Sequence, residues 1–326
     1  MKKRTVLFLT PRLHSPSTRY RALAYFPYLR KAGWEPRHLV APRRPWHRLG
    51  MLRAVREADV TVLCRRLFGP PLPWLLRRAA PRLVFDLDDA LMARPDGRPS
   101  ATRLRRFRRT IRLCDQVWAG NRYLAAQCGS LNGSVTLVPT ALEPARYDPA
   151  TAKPRDALDL VWIGSSSTRR YLEAALPVLA RAAGCLPGAR LKVIADFDLP
   201  APELPAVFVP WSEASEAAEI ASAHIGLSPM PDDPWTRGKC GLKVLQYMAA
   251  GLPVVASDVR AHRDIVIHGE TGFLASDPQQ WVAALSRLAA DARLAAAMGA
   301  RGRARVEEQF AVREIFREML AALESL

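Results

Sequence analysis

The sequence predicts an α/β protein made of two doubly wound domains, each a parallel sheet with helices on both faces. Three observations predict it. Short β-branched and aromatic runs alternate with amphipathic stretches, the pattern left by buried parallel strands and their covering helices. The alternation breaks at 143–157, where Pro144, Pro149 and Pro154 stand without periodicity, and then restarts. The length of 326 residues suits two domains. The expected division is 1–150 and 151–326.

Each element has a local reason. Thr5–Thr10 is β-branched and aromatic and reads as the first strand. The basic start before it resembles a signal peptide, but the apolar run is short and Pro11-Arg12 follows without a small-residue cleavage site. Tyr20, Leu23, Ala24, Phe26 and Tyr28 predict a helix over Thr18–Lys31, ended by Gly33. Further strands are expected at Val60–Cys64, Leu83–Leu87, Gln116–Ala119 and Val135–Val138. Beyond the linker, Leu158–Ile163 leads through Gly164–Thr168 into a helix ending near Ala183. Strands near Leu191–Ala195, Val207–Val209, Ile225–Ser228 and Pro253–Ala256 follow, and Asp277–Leu326 reads as mostly helical.

A composition of 49% hydrophobic and 24% charged residues excludes disorder and collagen. No apolar run reaches the roughly 18 residues of a membrane-spanning helix. The cysteines (Cys64, Cys114, Cys128, Cys185 and Cys240) are odd in number, scattered and without a CxxC, which argues against a disulfide framework and a zinc site. A cytoplasmic protein is expected, with no metal. The net charge of +17 is uneven: residues 1–150 hold 29 Lys and Arg against 10 Asp and Glu, and the remainder 19 against 21. A basic half attracts phosphate, whether on nucleic acid, an anionic lipid or a phosphorylated acceptor. Arg103–Arg112 places Leu104, Phe107 and Ile111 on one helical face among arginines. That face either lies on an anionic membrane, as a peripheral anchor, or packs on the sheet. Pro70–Arg78 can extend the same surface.

Ligands of open α/β sheets bind beyond the carboxyl ends of the strands. Polar residues there include Ser17 to Arg21, Asp86 to Asp89, Gly120 to Tyr123 and Pro139-Thr140. His14 lies near the same edge and can polarise a hydroxyl.

The run Gly238-Lys239-Cys240-Gly241-Leu242-Lys243 continues through Gln246-Tyr247-Met248-Ala249-Ala250-Gly251-Leu252-Pro253-Val254-Val255-Ala256-Ser257 to Glu270-Thr271-Gly272-Phe273-Leu274. It resembles the nucleotide-sugar signature of the family 4, or group 1, glycosyltransferases. Trp162–Thr168 and Pro234–Lys243 are similar to segments of a bacterial subgroup. The resemblance implies the GT-B arrangement, two Rossmann-like domains facing across a cleft. It implies a hexosyltransferase moving a sugar from a UDP- or GDP-linked donor to an acceptor hydroxyl, with retention, the departing phosphate as base, and no metal or cofactor. An envelope glycan or glycolipid precursor is the expected acceptor. The family's two glutamates fall on Gly238 and Gln246; an amide still hydrogen-bonds ribose hydroxyls, and Asp232 or Asp233 is a candidate to replace the first.

On this reading the donor set is Ser165, Ser166, Thr168, Lys239, Gly241, Leu242, Lys243 and Gln246. Gly241-Leu242 opens a helix whose free N–H groups suit a phosphate, and Lys239 and Lys243, four apart, are expected on one face of it. Solvated lysines and helix-capping hydroxyls are the plain alternatives. The catalytic set is Asp88, Asp89 and Arg19, where the aspartates orient the acceptor hydroxyl or simply pair with arginines. Arg21, Asn121 and Thr140 form the acceptor side, unless they are surface charge and turn residues. Two further readings stay open: a non-catalytic GT-B relative, and a basic protein binding nucleic acid or an anionic surface. No nucleic-acid motif supports the latter, and the absence of glycine from Pro11–Thr18 excludes a GxGxxG dehydrogenase.

Overall fold

A computed structural model describes residues 3–42, 44–199 and 203–326. The chain folds into two compact units. Unit 1 takes the residues up to Ala141, Asp233–Cys240 and Val312–Leu326; unit 2 takes Leu142–Asp232 and Gly241–Ala311. The expected division at 150/151 is thus corrected: the break comes earlier, and two later segments return to unit 1.

Unit 1 is a parallel sheet of β1 (Arg4–Thr10), β2 (Trp34–Val40), β3 (Val60–Cys64), β4 (Arg82–Leu87), β5 (Gln116–Ala119) and β6 (Val135–Leu137). Their spatial order is β2-β1-β3-β4-β5-β6. Edge strand β2 carries Pro36, a residue that sheets tolerate at an edge but that hides the strand from a sequence pattern. The helix expected over Thr18–Lys31 is two helices, α1 (Pro16–Arg21) and α2 (Phe26–Lys31), with a 3-10 turn at Leu23–Tyr25 between them. Ala22, at φ −129° and ψ −69°, interrupts the run, and Pro27 restarts it in a first turn where no N–H is needed.

Helices α3 (Arg48–Glu57), α4 (Leu72–Ala79) and α5 (Ala101–Leu113) share one hydrophobic cluster with Leu7, Leu9, Leu63, Leu83 and Phe85 of the sheet. Phe107 and Ile111 are buried there, so the apolar stripe of the arginine-rich helix packs on the sheet and does not enter a membrane. α6 (Arg122–Gly129) follows β5. The opposite sheet face, with Val6, Phe8, Val62 and Trp118, is closed by the last helix of the chain through Val312, Ile315, Phe316, Met319 and Leu323.

Unit 2 comprises β7 (Leu158–Ile163), α7 (Arg169–Ala183), β8 (Ala189–Ala195), β9 (Ala206–Pro210), α8 (Glu216–Ala221), β10 (Ile225–Ser228), α9 (Leu242–Ala249), β11 (Val254–Ser257), α10 (Arg260–Arg263), β12 (Gly272–Ala275), α11 (Pro278–Ala290) and α12 (Ala292–Gln309). The chain ends in α13 (Val312–Glu324), the helix already placed on unit 1. Strand order β12-β11-β10-β7-β8-β9 is the Rossmann order 3-2-1-4-5-6 seen from the other edge. The strand order reverses between β7 and β10 in unit 2 and between β1 and β3 in unit 1, the places where such sheets open a crevice for ligand. Among the described residues no helix is long and apolar enough to cross a membrane.

Candidate functional site

In unit 2 the site grows from the carboxyl end of β7. The turn after it is closed by its own hydroxyls: Thr168 Oγ1 donates to the Ser165 carbonyl at 3.1 Å and accepts from the Ser165 N–H at 3.3 Å. Ser166 donates its N–H to Asp196 Oδ1 at 2.7 Å, tying this turn to the end of β8. Thr168 stands at the N-cap of α7 without a side-chain capping bond.

Lys243, in the first turn of α9, meets this turn from across the switch point. Its ammonium donates to the Ile163 carbonyl, lies 3.4 Å from Thr168 Oγ1, and sits over the Trp162 ring at 4.2 Å. The indole face holds the cation in place. Trp162 is a contribution that its place in an apolar strand concealed.

α9 starts at Gly241, whose φ of +60° belongs to the left-handed region. A Cβ there would come within 2.2 Å of Ile265 Cδ1. No side chain caps this end, so the first-turn N–H groups have no capping partner from Gly241. Leu242 follows, half-buried. Gln246 is buried one turn further on, and its amide donates to the Tyr147 hydroxyl at 3.2 Å. Tyr147, from the proline-rich segment, gave no sequence signal.

Lys239 is not on this helix. It is extended, at φ −68° and ψ 149°, and caps a 3-10 turn at Thr236–Gly238 that belongs to unit 1. The expectation that Lys239 and Lys243 share a helix face is therefore wrong: the helix begins at Leu242, so the four-residue spacing has no helical meaning for Lys239. Its ammonium pairs with Asp89 Oδ1 at 2.8 Å.

Unit 1 gathers a charged cluster at the carboxyl ends of β3 and β4. Arg65 follows β3 at φ +53°, a strained setting for a residue with a side chain. Its guanidinium pairs with Asp88 Oδ1 at 2.9 Å and with Asp89 Oδ2. Burial pushes the Asp89 carboxyl up, but Lys239 and then Arg65 outweigh it and hold the group below the usual range. Burial raises Asp88 above that range, against the pull of Arg65. Asp89, with both oxygens ion-paired and its side chain buried, takes the second of its two expected readings, pairing with basic side chains.

Two acceptor-side expectations are corrected. Arg21 is buried, donates Nε to Asp86 Oδ2 at 2.9 Å and Nη1 to the Val138 carbonyl at 2.8 Å, and cannot reach a substrate. Burial disfavours its charge, yet Asp86 keeps its pKa well above the ordinary value. Asn121 caps α6 by accepting from the Leu124 N–H at 2.8 Å, while its amide holds the carbonyls of Arg237 and Lys239 at 3.1 and 2.8 Å. Thr140 is buried. Arg19 is half-buried on α1 with its guanidinium 5.0 Å above the Tyr20 ring, and His14 is exposed.

Gly238 stands where the family places its first glutamate, and a Cβ there would meet the Ala90 backbone nitrogen at 2.4 Å. Asp233 Oδ1 accepts from the N–H groups of Trp235 and Thr236, both at 2.8 Å. Among the described residues no group of three or more His, Cys, Asp or Glu is placed to hold a metal ion.

Solved structures share this fold over the whole chain. Anabaena HepE, solved with UDP and glucose, superposes with a TM-score of 0.74 at 15% identity, covering 100% of both chains. A sucrose-phosphate synthase from Thermosynechococcus elongatus superposes at 0.77 and 16% identity, covering 99% of both. Fold and strand orders together define a GT-B protein of two Rossmann-like units. The sequence adds a match mostly in unit 2: the model of the group 1 glycosyl transferases matches residues 172–291. Over 90 residues the chain is also 40% identical to the lipopolysaccharide core biosynthesis mannosyltransferase LpsB of Rhizobium meliloti. That match covers 26% of this chain and 26% of LpsB, about a quarter of the relative's length.

Proposed function

We propose that the chain transfers a sugar from a UDP- or GDP-linked donor to an acceptor hydroxyl, in the synthesis of an envelope glycan or glycolipid. The observation that carries the reading is Lys243. The helix that opens at Gly241 and the turn at Ser165–Thr168 converge on its ammonium, at the switch point of a Rossmann sheet. A diphosphate seated there gains a cation and the first-turn N–H groups of α9 as negative charge develops on the leaving group. Gln246 and Tyr147 supply neutral hydrogen-bonding groups one helical turn away. LpsB, a mannosyltransferase of lipopolysaccharide core synthesis, supports an envelope acceptor. HepE, crystallised with UDP-glucose, supports a nucleotide-sugar donor.

Transfer with retention, the departing phosphate acting as base and no metal taking part, agrees with the family resemblance and asks for no carboxylate nucleophile. Asp88 is the aspartate left to orient the acceptor hydroxyl, with Arg19 near the end of β1 as a candidate for an acidic group on donor or acceptor. The reading places the protein in the cytoplasm, where nucleotide-sugars are made.

The test is thermal shift with UDP-, GDP- and ADP-sugars on the wild type and on Lys243→Ala. One nucleotide class is expected to raise Tm, and the variant to lose most of that rise while keeping its unliganded Tm within a few degrees. Equal stabilisation of both proteins removes Lys243 from the site, and no stabilisation by any nucleotide-sugar favours the non-catalytic reading.

A further inference from the structure

We propose that the outer face of α3, α4 and α5 docks this protein on an anionic bilayer surface. The three helices lie side by side on one face of the unit 1 sheet, α3 against α4 and α4 against α5. Their inward residues Met51, Val55, Leu72, Leu76, Phe107 and Ile111 all enter one core cluster. Their other sides therefore face away from the sheet together.

Two kinds of residue occupy that outer layer. The first is large and apolar: Trp46 and Leu49 are 64% and 75% exposed, and Trp74 and Leu75 are 47% and 42% exposed. Exposed apolar side chains of this size, on neighbouring helices, mark an interaction surface. The second is arginine. Arg105, Arg106, Arg108 and Arg112 of α5, Arg78 of α4, and Arg53 and Arg56 of α3 are exposed, and Glu57 is the one acidic residue of the three helices; Arg77 instead pairs with Asp115 and Arg103 donates to the Leu91 carbonyl. Glu57 is taken by Arg53 at 3.0 Å. The two kinds are joined physically, since the Arg109 guanidinium lies over the Trp74 ring at 4.5 Å and that of Arg44 over Trp46 at 5.6 Å.

Charge complementarity names the partner's sign, and the leucines name its class. Arginine beside tryptophan suits a headgroup layer, where indoles sit at the interface and guanidinium groups meet lipid phosphates. Exposed Leu49 and Leu75 gain nothing from a nucleic-acid backbone but are stabilised in the acyl boundary. The insertion elements are thus α4 and the start of α3, while α5, whose apolar stripe is spent on the core, supplies charge. The face stands independently of the donor site, so its failure would leave the transferase reading intact.

The experiment is co-sedimentation of the full chain with vesicles of phosphatidylcholine alone and with rising phosphatidylglycerol content. The bound fraction is expected to rise with phosphatidylglycerol and to fall with salt. Trp74→Ser with Leu75→Ser is expected to weaken binding roughly tenfold. Arg78→Gln, Arg108→Gln and Arg112→Gln, all at exposed positions, are each expected to weaken it about fivefold. All keep the wild-type Tm. Binding that ignores phosphatidylglycerol content, or wild-type binding by both sets of variants, overturns the proposal. So does salt-sensitive binding of duplex DNA without vesicle binding, unchanged in the Trp74/Leu75 variant, which would assign the face to nucleic acid.

Discussion

Arg21 shows what a buried charge does in this molecule. Its guanidinium, with almost no exposure, grips Asp86 at the end of β4 and the carbonyl of Val138 just past β6. Removing one partner strands the other charge in a medium that cannot solvate it. Arg21→Met is expected to lower stability by about 3–5 kcal/mol. Arg21→Met with Asp86→Leu is expected to recover most of that loss, because neither charge is then left alone. Urea unfolding of the single and double variants checks both, and a single variant within about 1 kcal/mol of wild type would mean that water reaches the pair. In sequence, Arg21 was indistinguishable from Arg19. Both lie in the same short polar stretch, and only the path of a side chain into the core separates a structural arginine from one facing solvent.

At the scale of elements, α9 is the helix on which the donor reading turns, and its first residue is set by its cap. Gly241→Ala meets the left-handed penalty of about 1–2 kcal/mol per residue and also crowds Ile265. A drop of about 1–3 kcal/mol is expected in thermal or denaturant unfolding, together with weaker nucleotide-sugar stabilisation, because the α9 N-terminus shifts. Unchanged donor stabilisation in a destabilised variant would separate the cap from the site. Most strands were legible because a buried parallel strand writes itself as an apolar run: Val60–Cys64, Gln116–Ala119, Leu158–Ile163 and Ile225–Ser228 agree with expectation at both ends. β2 and β12 were not. β2 holds a proline and alternates in burial at the sheet edge, and β12 is only four residues long beside a turn. Lys239 was misplaced because a helical spacing means nothing until the helix start is known.

For the whole molecule, the last helix is the least expected part. α13 follows the elements of unit 2 in sequence but closes the core of unit 1, where Phe316 packs against Tyr25 and Tyr28. A chain ending after Ala311 is expected to lose hydrogen-exchange protection in β1 and β3 while β7, β8 and β10 keep theirs. Equal loss in both sheets would show that the units unfold as one, and no loss would show that α13 is dispensable. The sequence by itself determined the alternating fold class, most strands and the resemblance to group 1 glycosyltransferases. Those signals are local: periodicity, turn residues and a contiguous motif each lie within a few dozen residues. Only the tertiary structure decided that Arg65 and Lys239 would neutralise Asp89, that Asn121 would hold 237–239, and that the stripe of α5 would be buried while Trp74 and Leu75 stay exposed. Those outcomes depend on which distant groups meet and on how much water each keeps, and neither is a property of neighbouring residues in the chain.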